Sequence, residues 1–317
     1  MKPFAFVFPG QGSQSVGMLG GWAGHAAVRE TLAEASAALG EDLGLLIENG
    51  PAELLALTTN TQPVMLVAGV AAFRVWMAET GAAPVVLAGH SLGEYSALVA
   101  ADVMTLSDAA RLVRFRAQTM QDAVPVGIGA MAAILGLDAA KVIAGCAEAA
   151  RSFGLNTTEV VEAVNFNDPL QTVIAGTKAA VDKACEVLKA NGARRALPLS
   201  VSAPFHSTLM KPAAEALREK LLATQLCSPT IPVINNIDVA VESDPDRIRA
   251  ALYRQAFGPV RWVECIRGIK AHGVTAVAEC GPGKILAGMV KRIDGDLIGL
   301  PLFDQVTLEE VKKVVFA

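Results

Sequence analysis

Gly89-His90-Ser91-Leu92-Gly93 has the G-x-S-x-G spacing in which glycines permit a sharp turn that exposes a serine hydroxyl. A continuous apolar run, Val85-Val86-Leu87-Ala88-Gly89, precedes it, and a helical pattern at 94–101 follows. A serine on such a strand-to-helix turn lies at a helix N-terminus, where free N–H groups and the dipole favour developing oxyanion charge. The same residues also read as an ordinary turn with Ser91 as a helix cap; the strand before and the helix after favour a nucleophile.

A serine nucleophile needs a base, and the chain has four histidines. His90 adjoins Ser91 in the turn and is expected to brace it. His25 lies in a Gly/Ala-rich approach to a helix with no strand end nearby. His272 precedes Gly273 at a helix end, where a histidine satisfies the C-terminal dipole. His206 follows a strand in the loop Ser202-Ala203-Pro204-Phe205-His206-Ser207, at a strand's carboxyl end, where α/β sites collect. His206 is therefore favoured.

Arg116 is the third residue of interest. In a helix over 107–122, Ala109, Leu112, Val113 and Met120 form one apolar stripe with Arg116 near its centre, while Arg111 and Arg114 face the other way. A buried, unpaired charge costs several kcal/mol, so Arg116 needs an anion. An internal salt bridge and a substrate carboxylate both meet that need, and a guanidinium fork binds a carboxylate bidentately.

The turn Gly10-Gln11-Gly12-Ser13-Gln14 follows the first strand, but Ser15 stands where a dinucleotide fingerprint needs glycine, and no Walker lysine follows. Such a turn can instead present backbone N–H groups to an oxyanion. Gly281-Pro282-Gly283-Lys284 lacks P-loop spacing and reads as a turn into a helix.

These residues need elements to hold them. An apolar strand over 4–8 opens the chain, and helical patterns follow at 26–39, 42–48, 51–57 and 61–80. Past Pro125 and Gly127 the order changes to strand 130–136, helix 138–150, strands 159–166 and 171–176, helix 178–190 and strand 193–201. This βαββαβ order is ferredoxin-like. Helix 211–224, strand 232–236, helices 244–256 and 260–272, strand 275–280 and a helix from 283 then resume the first pattern. The fold class is thus α/β, with a discontinuous larger unit, 1–127 and 202–317, and an inserted ferredoxin-like unit, 128–201. A cleft between the two is the expected ligand site.

Composition narrows the function. Of 317 residues, 52% are hydrophobic and 18% charged, enough apolar material for a large core and too much for disorder. Against 27 Lys+Arg stand 31 Asp+Glu, with no run of like charge, so nucleic acid is not an expected partner. The longest apolar stretch, 63–73, falls short of the roughly 20 residues of a membrane span, and the apolar run at 4–8 is too short for a signal peptide. A soluble cytoplasmic monomer, away from membranes, is expected. The five cysteines are scattered and nothing has zinc-ligand spacing, so metal-free chemistry is expected.

Taken together, the chain resembles the malonyl-CoA:acyl carrier protein transacylase family over essentially its whole length. The resemblance rests on Phe8-Pro9-Gly10-Gln11-Gly12-Ser13-Gln14, Asn60-Thr61-Gln62-Pro63, Gly89-His90-Ser91-Leu92-Gly93-Glu94-Tyr95, Arg116 with Met120-Gln121 and Gly129-Ala130-Met131. It continues through Val164-Asn165-Phe166-Asn167, Pro204-Phe205-His206-Ser207, Asn235-Asn236, Gln255 with Pro259-Val260-Arg261-Trp262, and Gly281-Pro282-Gly283. It implies a hydrolase-like α/β unit carrying a ferredoxin-like insert. It also implies Ser91 as nucleophile, His206 as base and then acid, and the N–H groups of Gln11 and Leu92 as oxyanion hole. Arg116 would hold the free malonyl carboxylate. Gln255 would orient His206 through its main-chain carbonyl, and Phe205 would exclude an α-methyl group.

The implied partners are malonyl-CoA and holo acyl carrier protein, with no cofactor. Because the family's carrier is acidic, Lys284, Lys291 and Arg292 are expected to form a basic flank to the cleft. Two other functions share parts of this pattern. A serine esterase or thioesterase has the same elbow but supports its histidine with an acid, and a silent carrier-binding module forms no acyl adduct.

Overall fold

The computed structural model describes residues 1–22, 24–125, 127–154, 157–201 and 203–317. Ser202, the first residue expected in the second stretch of the larger unit, lies outside the described residues. From the N-terminus the elements are β1 (Phe4–Phe8), α1 (Ala26–Leu39), α2 (Leu43–Asn49), α3 (Ala52–Ala56), α4 (Thr58–Thr80), β2 (Val86–Gly89), α5 (Gly93–Ala100) and α6 (Leu106–Asp122). Then come β3 (Gly129–Leu135), α7 (Ala139–Arg151), β4 (Val161–Asp168), β5 (Gln171–Thr177), α8 (Lys178–Ala190) and β6 (Arg195–Pro198). The chain finishes with α9 (Lys211–Ala223), β7 (Val233–Ile234), α10 (Pro245–Gln255), α11 (Trp262–Ala271), β8 (Ala276–Cys280), α12 (Ile285–Ile293), β9 (Ile298–Leu302) and α13 (Gln305–Val315).

Two sheets result. The larger has the order β7-β2-β1-β8-β9, and all its pairs are parallel. Its central strand, Phe-Ala-Phe-Val-Phe, is buried on both faces, as parallel strands covered by helices are. Phe4, Phe6 and Phe8 face one core with Phe73 and Trp76 of α4, the Phe6 and Trp76 rings meeting edge to face at 5.4 Å. Ala5 and Val7 face a second core with Trp262, Ile266 and Ile269 of α11. The smaller sheet, β4-β5-β3-β6, is antiparallel and carries α7 and α8 around a third core, within the expected 128–201.

The two sheets are joined through β4. Val260, just before α11, donates its N–H to the Val164 carbonyl at 2.8 Å, and Phe166 donates to the Val260 carbonyl at 3.0 Å. Next along β4, Asn167 meets His90, and the half-exposed Arg292 pairs with the buried Asp168 at 2.9 Å. The small sheet is thus fastened to the turn that carries Ser91.

Several expectations change. The apolar stretch 63–73 is the middle of a 23-residue helix, α4, which by length and composition could cross a membrane; 83% of its most apolar window is buried inside the fold. The helix expected over 61–80 begins earlier, at Thr58, and so carries Pro63 inside it. Strand 193–201 shrinks to β6 at the sheet edge, where Pro198 is tolerated, and its bonding to β3 goes one residue further through the Leu199 N–H, which donates to the Met131 carbonyl at 2.9 Å. The edge strand β9 and the helix α13 were not anticipated. Ile298-Gly299-Leu300-Pro301-Leu302 contains Gly and Pro, which a strand tolerates at a sheet edge but which hide it in a pattern search.

Candidate active site

The register that pairs Phe8 with Gly89 brings the ends of β1 and β2 level, so the turns after them adjoin. This approach is why the glycines are there. A Cβ on Gly93 would stand 2.0 Å from the Phe8 carbonyl oxygen, one on Gly89 1.9 Å from the Gly93 carbonyl carbon, and one on Gly10 2.7 Å from the His90 carbonyl oxygen. Between them Ser91 is held at φ +53°, the strained left-handed conformation that a nucleophile elbow requires.

Buried polar side chains hold that strain in place. The Ser91 N–H donates to Asn236 Oδ1 at 2.7 Å, while Asn236 Nδ2 donates to the Gly89 carbonyl at 2.7 Å. Gln255 Nε2 donates to the Ser91 carbonyl at 3.0 Å. Among the described residues no intramolecular acceptor takes the N–H of Leu92 or of Gln11. Gln11 is fixed by its side chain, whose Oε1 accepts from Thr58 at 2.6 Å.

His206, also at a positive φ of 65°, places Nε2 2.6 Å from Ser91 Oγ. Its loop reaches the elbow because β3 begins with a glycine: a Cβ on Gly129 would stand 2.4 Å from the Pro204 ring. His206 Nδ1 faces the carbonyl oxygens of Gln255 at 2.9 Å and Gly258 at 3.2 Å. Two acceptors require the proton on Nδ1, which leaves Nε2 as the acceptor of the serine proton. Burial, reinforced by the positive charge of Arg116, pushes His206 down to about 3, so the imidazole is neutral at ordinary pH. Among the described residues no carboxylate bonds to it, unlike the acid-supported histidine of an esterase.

Arg116 is 2% exposed and sits beside the same hydroxyl. Its Nη1 donates to Gln62 Oε1 at 2.6 Å, and its Nη2 donates to Gln255 Oε1 at 3.1 Å and to Ser91 Oγ at 3.3 Å. The guanidinium carbon lies 5.4 Å from the centre of the Tyr95 ring. Among the described residues it has no salt bridge, and its Nε has no partner. Of the two answers considered for its charge, a direct internal salt bridge is thus absent among those residues. By contrast, Arg114 on the opposite face is spent on Glu41 and Asn60.

A cleft of about 440 Å³ runs between the two sheets. Its walls include Gln11, His90, Asn167, Leu199, Val201 and Met289, so it reaches His90, next to Ser91, without Ser91 itself forming wall. The geometry thus offers a serine hydroxyl against a neutral imidazole, with a buried cation at hydrogen-bond distance.

The remaining candidates divide. His90 Nε2 lies 2.8 Å from Asn167 Oδ1 and its ring meets Trp262 edge-on, bracing the elbow as expected. His25 accepts the Ala27 N–H as a helix cap, and His272 ends α11 ahead of Gly273. Phe205 is buried in the main core. Lys284 and Lys291 line a shallow surface depression, but Arg292 is not a free cation: its ion pair with Asp168 makes it a clamp between the sheets.

Gln62, Asn236 and Glu94 carry no role that the sequence alone marks. Gln62 is wholly buried at the head of an apolar helix and caps Arg116, so the logic that singled out Arg116 applied to it as well. Glu94, 2% exposed, accepts on Oε2 from the Asn236 N–H at 2.9 Å and from Gln255 Nε2 at 3.0 Å. Burial raises its carboxyl to about 7.

Comparison with known proteins places this geometry. Residues 5–293 match the acyl transferase domain family. A curated relative, the malonyl CoA-acyl carrier protein transacylase of Escherichia coli K12, is 54% identical over 92% of this chain and 93% of its own length. The crystal structure of an acyl-carrier-protein S-malonyltransferase from Burkholderia pseudomallei superimposes with TM-score 0.95 at 63% identity, covering 99% of this chain and all of that one. A malonyl-transacylase solved in complex with a type II polyketide acyl carrier protein gives TM-score 0.95 at 47% identity, over 99% of this chain and 100% of the other. With the fold, the elbow and the matches all agreeing, this chain belongs to the acyl transferase family, within its malonyl CoA-acyl carrier protein transacylase branch.

Proposed function

We propose that this protein transfers the malonyl group from malonyl-CoA to the phosphopantetheine thiol of holo acyl carrier protein, for fatty acid chain elongation, in a ping-pong reaction through an ester on Ser91. The observation that carries the substrate is Arg116, a buried guanidinium without a counter-ion pair whose Nη2 is 3.3 Å from the attacking oxygen. A malonyl ester on Ser91 has its free carboxylate one methylene beyond the ester carbonyl, within reach of that fork.

In the first half-reaction Ser91 Oγ attacks the thioester carbonyl carbon and its proton passes to His206 Nε2. The oxyanion is received by the N–H groups of Gln11 and Leu92, each such donor being worth about 3 kcal/mol. Collapse breaks the C–S bond, and His206 returns the proton to the leaving CoA sulfur. The second half runs in reverse order: the carrier thiol gives its proton to His206, attacks the ester carbonyl, and expels Ser91 Oγ, which regains the proton.

A malonyl carboxylate on Arg116 offsets the charge that, after burial, does most to hold His206 neutral. The charged substrate thus strengthens the base it needs. Carbonyl oxygens at Nδ1 orient the imidazole without adding a negative charge of their own. Phe205, beside His206, narrows the space for an α-methyl group, and Lys284 and Lys291 present positive charge near the Gly281-Pro282-Gly283 turn to an acidic carrier.

The test is transfer of labelled malonyl from malonyl-CoA to purified holo carrier protein, with intact-mass measurement of the enzyme after malonyl-CoA alone. One malonyl adduct, absent from Ser91→Ala, is expected. An adduct that survives Ser91→Ala, or none on the wild type, would refute the serine ester.

A further inference from the structure

We propose that Glu94 is the internal counter-charge of Arg116, and that it takes up a proton when a carboxylate-bearing acyl group binds, making the choice between charged and uncharged acyl groups depend on pH. This rests on the carboxylate role given to Arg116 above.

The two groups do not touch; they are linked through one carboxamide. Gln255 Oε1 accepts from Arg116 at 3.1 Å, and its Nε2 donates to Glu94 Oε2 and to the Ser91 carbonyl, each at 3.0 Å. Both groups facing Nε2 are acceptors and the group facing Oε1 is a donor, so the amide has one orientation that satisfies all three. Glu94 thereby fixes which end of Gln255 meets the arginine. The main chain of the same Gln255 receives His206 Nδ1.

The charge balance around Glu94 is simple. From α5 its neighbour Tyr95 is a buried phenol pushed up to about 12 and therefore neutral. From α11 Cys265 is a buried thiol held protonated, and His206 is neutral for the reasons given. From the segment after β7, Asp238 is tied to Arg254 at 2.6 Å, and Arg261 ahead of α11 is paired with Glu264. Glu242, with a side chain 22% exposed, stands 3.7 Å from Arg247. The interior facing the nucleophile therefore holds one cation, Arg116, and one anion, Glu94. A bound malonyl carboxylate adds a second negative charge to a dry region, where like charges raise each other's proton affinity. The Glu94 carboxyl, already lifted by burial to about 7, is the group placed to respond.

The proton would enter from a small cavity beside Glu94. A cavity of about 10 Å³, room for about one water, is lined by Glu94 and by Glu242, which reaches the surface. Among the described residues only Oε2 of Glu94 is engaged in hydrogen bonds, which leaves Oε1 to carry the proton. The step is uptake of one solvent proton by the Glu94 carboxylate on binding, with release when the acyl group leaves.

Linkage sets the sign. Below about pH 7 Glu94 is already protonated and carboxylate binding draws no proton; above it, binding must take one up, so affinity falls as pH rises. Where the free protein has lost this proton and the loaded protein keeps it, affinity falls about tenfold for every pH unit.

The experiment compares kcat/KM for malonyl-CoA and acetyl-CoA from pH 6 to 8.5, taken as a ratio so that the CoA phosphates cancel. The wild-type ratio should be level below about pH 7 and fall by up to about tenfold for every pH unit above it, and Glu94→Gln, which keeps both accepted hydrogen bonds, should give a flat ratio. A Glu94→Gln ratio that keeps the wild-type slope overturns the proposal. Should Glu94→Gln not fold, titration calorimetry on Ser91→Ala protein at pH 8, in buffers of differing ionisation enthalpy, decides. Proton uptake with malonyl-CoA and none with acetyl-CoA supports the proposal, and equal uptake overturns it. Arg116→Ala separates the two ideas: if its malonyl-to-acetyl ratio matches wild type, the carboxylate role of Arg116 fails. If that ratio collapses while Glu94→Gln keeps the slope, only the Glu94 proposal fails.

Discussion

Replacing Arg116 with alanine is the sharpest perturbation of the proposed reaction. The side chain is 2% exposed and donates to Gln62, Gln255 and Ser91 Oγ, all neutral groups. Among the described residues no carboxylate bonds to it directly, so a substrate carboxylate would be the one anion in hydrogen-bond contact with the guanidinium. Removing one member of a buried, hydrogen-bonded charge pair costs about 2–5 kcal/mol, which corresponds to a loss of about 30- to 5,000-fold in kcat/KM for malonyl loading. Acetyl-CoA has no charge to leave unpaired. Its loading should hold or rise, because the positive charge that helps keep His206 weakly basic has also gone. Rapid-quench measurement of acyl-enzyme formation with both thioesters gives the two values. Arg116→Lys, which keeps the charge without the fork, should fall between wild type and alanine for malonyl. Parallel losses for malonyl and acetyl, in a variant whose melting temperature is near wild type, would refute the reasoning and reduce Arg116 to a brace for Gln62 and Gln255.

Three further outcomes follow from the geometry. Because His206 is held near 3, acetyl loading should show no acid limb near the usual imidazole value and should stay level from about pH 8 to 5; a limb centred near 6.5 in the pH profile would refute this. Gly93→Ala should yield little folded protein, since its Cβ would stand 2.0 Å from the Phe8 carbonyl oxygen and 3.0 Å from the Pro9 carbonyl oxygen, both rigid backbone, and a variant melting within a few degrees of wild type would contradict the close-approach argument. Glu279, wholly buried on β8 and accepting the Ala287 N–H at 2.8 Å, is raised by burial to about 7. A folded-state value above the unfolded one gives stability that is present below about pH 4.5 and lost as pH rises through about 7. Relative to Glu279→Gln, the wild type should therefore lose melting temperature between pH 5 and 8, and parallel curves would show that the burial is not sensed.

Much of this site is written locally. The Ser91 turn is legible because glycine spacing, an apolar run before and a helix after are all properties of adjacent residues. Arg116 is legible because a cation at the centre of an apolar stripe conflicts with its own helix. The βαββαβ order of the small sheet follows from alternating periods in one stretch of chain. The missed pieces are of a different kind. Gln62, Glu94 and Asn236 are common polar residues whose meaning is the partner they meet, and those partners lie 54, 161 and 145 positions away. Arg292, expected as a free cation for a carrier, is tied to Asp168 by the docking of one sheet on the other.

The class of fold, a candidate nucleophile and a cation bound for the interior are therefore legible from the chain alone, because each is a local pattern or a local conflict. Tertiary structure decided how the charges balance: which carbonyls orient His206, that Arg116 finds no carboxylate partner among the described residues, and that Glu94 reaches it through Gln255. Such questions depend on distances of about 3 Å between side chains far apart in the chain and on the water excluded around them. Periodicity and spacing carry neither quantity.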